Sequence, residues 1–179
     1  MKQRYEIILA GSGGQGLVLS GRLLGQAAIL EGSNVVQTQS SLGDAQRGGL
    51  SVSELITDKD EIIFQQVEQP DLILALSESA IKKYGASAAS VPVLFDSSGS
   101  AVLEGRYARG VPFTRMAEAI PGGAANMVAL GTILSMTQMV SPESLFKAIR
   151  QSLSESSAQA NIESVRAGMA VAQTQTAGK

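Results

Sequence analysis

Residues 5–16 read YEIILAGSGGQG, a short apolar run that leads into four closely spaced glycines. The nearly continuous apolar stretch from Tyr5 to Ala10 is typical of a strand buried on both faces of a parallel sheet. After the glycines, apolar residues recur at the spacing of a helix face, which predicts a helix from about Gly16 to Leu30. The segment therefore predicts a strand, a glycine loop and a helix in direct succession.

The glycine loop matches the pattern G-x-G-x-x-G in the strand-to-helix context that makes this pattern informative. It consists of Gly11, Ser12, Gly13, Gly14, Gln15 and Gly16. In such loops the glycines permit a tight turn, a close backbone approach to a ligand, and close packing of helix on strand. The free N–H groups at the start of the helix can bind an anion, so a phosphate or pyrophosphate group is the expected ligand. A tight connection that binds no ligand remains the alternative.

The rest of the chain alternates strand-like and helix-like segments. Further strands are predicted at residues 34–39, 50–56, 72–76 and 91–96, with a weaker edge strand at 110–113. Further helices are predicted at about 77–84, 124–139, 141–153 and 158–172. We also expect a hairpin between residues 50–56 and Ile62–Phe64, through the turn Asp58-Lys59-Asp60.

The predicted fold is a Rossmann-like, three-layer α/β domain with helices on both faces of the sheet. The first forty residues are expected to form a strand–helix–strand unit, which favours a mostly parallel sheet, and the hairpin leaves a mixed sheet open. We expect one domain over residues 1–173 and a flexible tail over residues 174–179.

Composition limits the chemistry that this chain can perform. Its 14 Lys and Arg residues and 16 Asp and Glu residues give a net charge of −2, which argues against nucleic acid as a partner. Without Cys or His, the chain cannot ligate an iron–sulfur cluster through thiolates and lacks the commonest general base and metal ligand. We therefore assign no catalytic residue and no metal ligand, and expect a cofactor or another chain to carry the chemistry. No apolar stretch approaches the roughly 18 residues of a membrane span, and we expect a cytoplasmic protein.

An ordinary NAD site would carry an acidic residue about 20 residues after the glycines, at the end of the second strand. That place holds Gln37, Thr38 and Gln39, whose amides and hydroxyl can still bind a polar ligand. The missing carboxylate argues against an NAD-dependent dehydrogenase.

Two further clusters are candidate ligand contacts. In Arg47-Gly48-Gly49 a guanidinium is flanked by glycines, which suits the clamping of a phosphate or carboxylate, although Asp44 nearby offers an ion pair instead. Asn126 stands at the expected start of a helix, where it can cap the helix or reach a ligand, and capping is the interpretation that we favour.

Together these residues resemble the gamma subunit family of the 2-oxoacid:ferredoxin oxidoreductases, which includes the pyruvate, 2-oxoglutarate and 2-oxoisovalerate enzymes. The resemblance spans almost the whole chain. It rests on the glycine loop, on Arg47-Gly48-Gly49, on Pro70-Asp71-Leu72 and on the segment from Ala125 to Gly131.

The resemblance implies a subunit of a complex that converts a 2-oxoacid and coenzyme A into acyl-CoA and carbon dioxide, with ferredoxin as electron acceptor. It implies alpha, beta and possible delta ferredoxin-like partner subunits, which hold thiamine pyrophosphate and iron–sulfur clusters. For this chain it implies a part in coenzyme A binding. The residues that it implies as ligand contacts are Gly11 to Gly16, Arg47, Gly48, Gly49 and Asn126.

Two alternatives remain open at this point. A stand-alone NAD- or FAD-dependent oxidoreductase would bind its dinucleotide without partners. A purely structural interaction module would leave the glycine loop empty.

Overall fold

The computed structural model describes residues 2–42 and 49–176, which fold around one six-stranded sheet. The strands are β1 (Tyr5–Ser12), β2 (Asn34–Leu42), β3 (Leu50–Asp58), β4 (Leu72–Ala75), β5 (Val93–Asp96) and β6 (Ala108–Val111). The helices are α1 (Leu17–Leu30), α2 (Glu78–Tyr84), α3 (Phe113–Glu118), α4 (Ala125–Thr137), α5 (Pro142–Ser152) and α6 (Glu155–Thr176), with a 3-10 turn at Gly85–Ala89.

The sheet has the order β2-β3-β1-β4-β5-β6. β1, β4, β5 and β6 pair in parallel, whereas β3 is antiparallel to both of its neighbours, β1 and β2. The sheet is therefore mixed and mostly parallel. Although β1, α1 and β2 form as predicted, β2 does not lie beside β1, because β3 separates the two strands.

The predicted hairpin with Ile62–Phe64 is wrong. β3 instead forms a hairpin with the preceding strand β2, and its other edge pairs with β1 along its whole length. Both edges of β3 are thereby occupied, so no edge is left for a third strand. Residues 59–71 connect β3 to β4 without a strand or a helix.

Alternate residues of the strands fill two apolar clusters, one on each face of the sheet. Ile7 and Leu9 point to the face covered by α1, α3, α4, α5 and α6. Ile8 and Ala10 point to the face covered by α2 and the 3-10 turn, through Ala80 and Ala88. Helices on both faces confirm the three-layer α/β fold. β6 stands at the edge of the sheet, as the neighbouring Pro112 led us to expect.

The predicted helix starts at Ser77 and Ser141 are confirmed. The Ser77 hydroxyl accepts a hydrogen bond from the N–H of Ala80 at 3.3 Å, and the Ser141 hydroxyl accepts one from the N–H of Ser144 at 3.2 Å. Helix α3 was not predicted, because its six residues are too few for a clear periodicity. Within residues 2–42 and 49–176 no helix combines the length and the apolarity that a membrane crossing requires.

Helix α6 extends three residues into the stretch predicted as a tail, while residues 177–179 lie outside the described part of the chain. The single domain with a flexible tail stays a prediction.

Helices α4 and α6 approach each other so closely that their backbones touch. A Cβ atom on Gly131 would overlap the carbonyl oxygen of Val165, and one on Gly168 would overlap that of Val128. The hydroxyl of Thr132 donates a hydrogen bond to the Gly168 carbonyl at 3.1 Å across the same contact. This packing fixes the position of α4, whose first turn reaches the glycine loop.

Candidate functional site

The glycine loop lies at the carboxyl end of β1, between β3 on one side and β4 on the other. Ser12 pairs with Leu50, the first residue of β3, and the N–H of Leu76 donates to the carbonyl of Ala10 at 2.9 Å. Ligands of open α/β sheets bind outside the carboxyl ends of the strands. The glycine loop lies at that edge of the sheet. The predicted place of the loop between the first strand and the first helix is confirmed.

Gln15 holds the loop in shape through both ends of its side-chain amide. Its Oε1 accepts a hydrogen bond from the N–H of Ser12 at 2.7 Å, and its Nε2 donates to the carbonyl of Leu76 at 3.1 Å. A Cβ atom on Gly11 would collide with Gln15 Oε1, so a side chain at residue 11 would displace this amide. Gln15 therefore ties the loop to the end of β4.

Asn126 holds the loop from the other side. It is buried at the second position of α4, and its Nδ2 donates to the carbonyl of Gly16 at 3.2 Å and to the hydroxyl of Ser20 at 3.0 Å. The interpretation of Asn126 as a helix cap is wrong, because Ala124 is the N-cap of α4 and no side chain caps it. The amide joins two helix starts that lie far apart in the sequence.

The loop presents several backbone N–H groups without a partner. Among the described residues, none accepts a hydrogen bond from the N–H groups of Gly13, Gly14 or Gly16. The first three helical N–H groups of α1 add to this set, since the first intrahelical bond runs from Ser20 to Gly16. Gly14 and Gly16 have φ values of 86° and 74°, a conformation that side chains disfavour. The loop thus has the donors and the positive helix end that bind an anion.

The second predicted cluster is described only in part. Gly49 directly precedes β3, and the pairing of Leu50 with Ser12 brings it next to the glycine loop. Arg47 and Gly48 lie outside the described residues, so the phosphate clamp at Arg47 stays a prediction.

The amide of Gln37 on β2 binds other parts of the protein. Gln37 Nε2 donates to the Val18 carbonyl at 3.0 Å and to the Ser53 hydroxyl at 2.9 Å. Because β3 separates β2 from β1, the end of β2 stands two strand spacings, about 10 Å, from β1 instead of one. The sheet therefore does not provide the position at which a dinucleotide-binding fold carries its ribose-binding acid.

A recess of about 390 Å³ lies at the carboxyl edge of the sheet, as the glycine loop does, beyond the end of β4. Asp96 lines it and accepts hydrogen bonds from the N–H of Ser98 at 2.9 Å and from the hydroxyl of Thr114. Asp96 was not among the residues selected from the sequence. Its position as the last residue of a predicted buried strand was the available signal.

Within residues 2–42 and 49–176, the carboxylates with a shifted pKa stand at the opposite, amino-terminal edge of the sheet. Burial favours the neutral form of Glu6, but hydrogen bonds from the Gln69 backbone, the Arg4 side chain and the Glu68 backbone outweigh it and lower the pKa of Glu6. Glu31 is similar: burial opposes ionisation, while hydrogen bonds from the Ser141 hydroxyl and N–H lower its pKa. These groups stabilise the fold away from the loop.

Comparisons with known proteins agree with this architecture. Residues 6–171 match the family described as pyruvate ferredoxin/flavodoxin oxidoreductase. The chain is 36% identical over 171 residues to the 2-oxoglutarate synthase subunit KorC of Archaeoglobus fulgidus, an alignment that covers 94% of this chain and 88% of that subunit.

Two solved structures share the fold. The gamma subunit of a keto/oxoacid ferredoxin oxidoreductase from Geobacter sulfurreducens superposes with a TM-score of 0.80 and 33% identity, over 95% of this chain and 99% of that one. The 2-oxoglutarate:ferredoxin oxidoreductase from Magnetococcus marinus, solved with 2-oxoglutarate, coenzyme A and succinyl-CoA bound, superposes with a TM-score of 0.84 and 20% identity, over 97% of this chain and 32% of that one.

These matches confirm the resemblance found in the sequence, and nothing in them supports a stand-alone NAD- or FAD-dependent enzyme. The chain belongs to the pyruvate ferredoxin/flavodoxin oxidoreductase family, among the gamma-type subunits of 2-oxoacid:ferredoxin oxidoreductase complexes.

Proposed function

We propose that this chain helps its complex to bind coenzyme A, by holding a phosphate group of coenzyme A at the glycine loop. The observation that carries the proposal is the set of unpartnered N–H groups from Gly13 to the first turn of α1. Such groups at a helix start bind phosphate oxygens well. The related complex from Magnetococcus marinus, which was solved with coenzyme A bound, supports the choice of ligand.

In this proposal the side chains of Gln15 and Asn126 position the loop, and backbone N–H groups contact the phosphate. The amides of both residues already bind protein groups, which is what a preorganised anion site requires. Arg47 adds a cation that clamps the same ligand. Ser12 and Gly49 border the site.

The oxidative chemistry belongs to other subunits. A chain without Cys has no thiolate for an iron–sulfur cluster, so we assign the clusters to partner subunits. Thiamine pyrophosphate is assigned to partner subunits of the alpha, beta and delta types because the family resemblance implies it. Bound there, thiamine pyrophosphate would supply the carbanion stabilisation that decarboxylation needs, and the clusters would supply the electron route to ferredoxin. We expect the isolated chain to be inactive. A cytoplasmic location fits a chain that needs no disulfides.

Val18 offers a direct test of the loop. It is the second residue of α1, is 37% exposed, and its Cβ leans toward the loop as in any helix. In the assembled complex we expect Val18→Glu to weaken coenzyme A binding at least about tenfold. The introduced carboxylate and the phosphate group of coenzyme A are both negative and would lie side by side. Val18→Gln is the matched control, since it has nearly the same size and no charge.

The readouts are the KM for coenzyme A and the KM for the 2-oxoacid, and only the first should rise. The melting temperature of Val18→Glu should not fall, since an acidic residue in the first turn favours the helix. Arg47→Ala should likewise weaken coenzyme A binding with little change in melting temperature. Unchanged coenzyme A binding in Val18→Glu would refute the proposal and favour a loop that is only structural.

A further inference from the structure

The segment that connects β3 to β4, residues 59–71, carries the most exposed apolar pair of the described chain. Ile63 is 86% exposed and Phe64 is 53% exposed. Two adjacent large apolar residues in water form an exposed apolar patch, which is a feature of surfaces that bind other molecules. The connecting segment therefore offers a contact that the fold itself does not need.

The connecting segment is tied to the domain at both ends. Near its start, Asn34 Nδ2 donates to the carbonyl of Asp60 at 3.0 Å. Near its end, the buried carboxylate of Glu6 accepts hydrogen bonds from the N–H groups of Glu68 at 2.8 Å and Gln69 at 3.0 Å. Because these bonds hold both ends, the segment has fewer conformations to lose on docking, which lowers the entropic cost of binding.

The surroundings of the apolar pair are acidic. Glu61 and Glu68 line a recess of about 520 Å³ together with Ile63 and Phe64. Among the described residues, neither of these two carboxylates has an ion-pair partner.

The cations beside the recess are already neutralised. Lys2 pairs with Asp71, and Arg4 pairs with Glu6 at 2.8 Å and with Asp58 at 3.4 Å. The net charge that remains around the recess after these ion pairs is therefore negative.

We propose that Ile63 and Phe64 anchor this chain in an apolar pocket with a cationic rim on a partner subunit of the oxidoreductase complex. The inference rests on the subunit role given above and adds the surface and the chemistry of the partner. A second copy of this chain would bring another set of unpaired carboxylates to the contact, and like charges across an interface are unfavourable. The anchor is at the amino-terminal edge of the sheet, whereas the glycine loop is at the carboxyl edge.

The test uses the complex assembled from co-expressed subunits. We expect the double variant Ile63→Ser with Phe64→Ser to weaken binding to the partner subunits at least about tenfold, as truncation of central apolar anchors does. Gln66→Ser is the matched control, because Gln66 is an exposed polar residue of the same segment. Glu61→Lys with Glu68→Lys should weaken assembly as well, and most strongly at low salt. Circular dichroism of the free variants should match the wild type, since all these side chains are exposed or line an open recess.

Assembly of the double variant at wild-type affinity would overturn the inference. It would also be overturned if the free chain formed dimers that the double variant abolishes, because the occupant would then be a second copy. The two proposals fail differently: a wrong anchor leaves assembly intact in the Ile63 and Phe64 variant, whereas a wrong ligand leaves coenzyme A binding intact in Val18→Glu.

Discussion

The side-chain amide of Asn126 donates a 3.2 Å hydrogen bond to the carbonyl oxygen of Gly16, 110 residues earlier in the chain. The same amide bonds the hydroxyl of Ser20 in the first turn of α1. One buried side chain thereby fixes both the last residue of the glycine loop and the helix that follows it. The conformation of the loop depends on the packing of α4 as much as on its own glycines.

Asn126→Ala should destabilise the chain and loosen the loop. The lost hydrogen bonds predict a cost of about 1–3 kcal/mol, which is moderate because Ser20 still bonds the Gly16 carbonyl. Urea unfolding of the full chain measures the change. Asn126→Asp should be worse, because it places a carboxylate against a carbonyl oxygen in a buried site. An alanine variant as stable as the wild type would contradict the role assigned to this amide.

Alanine in the loop should cost more at Gly16 than at Gly14. Both residues have positive φ, which predicts about 1–2 kcal/mol of backbone strain for a side chain at either position. At Gly14 a Cβ atom meets nothing within 4 Å, whereas at Gly16 it would lie 2.5 Å from Asn126 Nδ2. The difference in unfolding free energy between the two variants measures this contact.

The clash at Gly16 also predicts a coupling. Combining Gly16→Ala with Asn126→Ala should cost less than the sum of the two single changes, because the shorter side chain frees space. Strict additivity would mean that the two residues do not interact in solution.

Gly131→Ala and Gly168→Ala should each be severely destabilising. A Cβ atom at either position overlaps backbone of the opposite helix, so α4 and α6 must separate, and we expect a cost of about 3 kcal/mol or more. Gly99→Ala is the control, because its Cβ meets nothing within 4 Å. Thermal unfolding distinguishes them: only the two helix variants should melt much lower, and a small effect there would contradict the close packing.

Acid should weaken the fold through Glu6. Its pKa in the folded chain is lower than the ordinary value of a glutamate side chain, so the folded state favours the ionised carboxylate. The resulting stability is fully present above about pH 5 and is lost as the pH falls through the folded pKa.

Glu6→Gln should therefore be less stable than the wild type at pH 7 and lose less stability on acidification. Urea unfolding at several pH values between about 3 and 7 follows both effects. Glu104→Gln serves as control, since Glu104 is exposed in a loop. A Glu6→Gln variant with the full acid sensitivity of the wild type would contradict the assignment.

Much of the local structure was predictable from short segments. The presence of a strand, a glycine loop and a helix in residues 5–30, and the helix starts at Ser77 and Ser141, reflect contacts between residues a few positions apart, although the conformation of the loop also depends on α4. Apolar periodicity, glycine and capping side chains record such contacts directly in the sequence. The absence of Cys likewise excludes a thiolate-bound cluster on this chain through composition alone.

The strand order, and with it the site, was decided by the tertiary structure. Hydrogen bonds between strands join segments of any separation, so no local pattern shows that β3 inserts between β1 and β2. These two strands fill both edges of β3 and leave none for Ile62–Phe64. For the same reason, only the packed chain shows that the side-chain amides of Gln15 and Asn126 bind backbone carbonyls. The contact of Gly131 with Val165 also forms only there. The sequence determined which elements form, and long-range packing determined which groups of the loop remain free to bind.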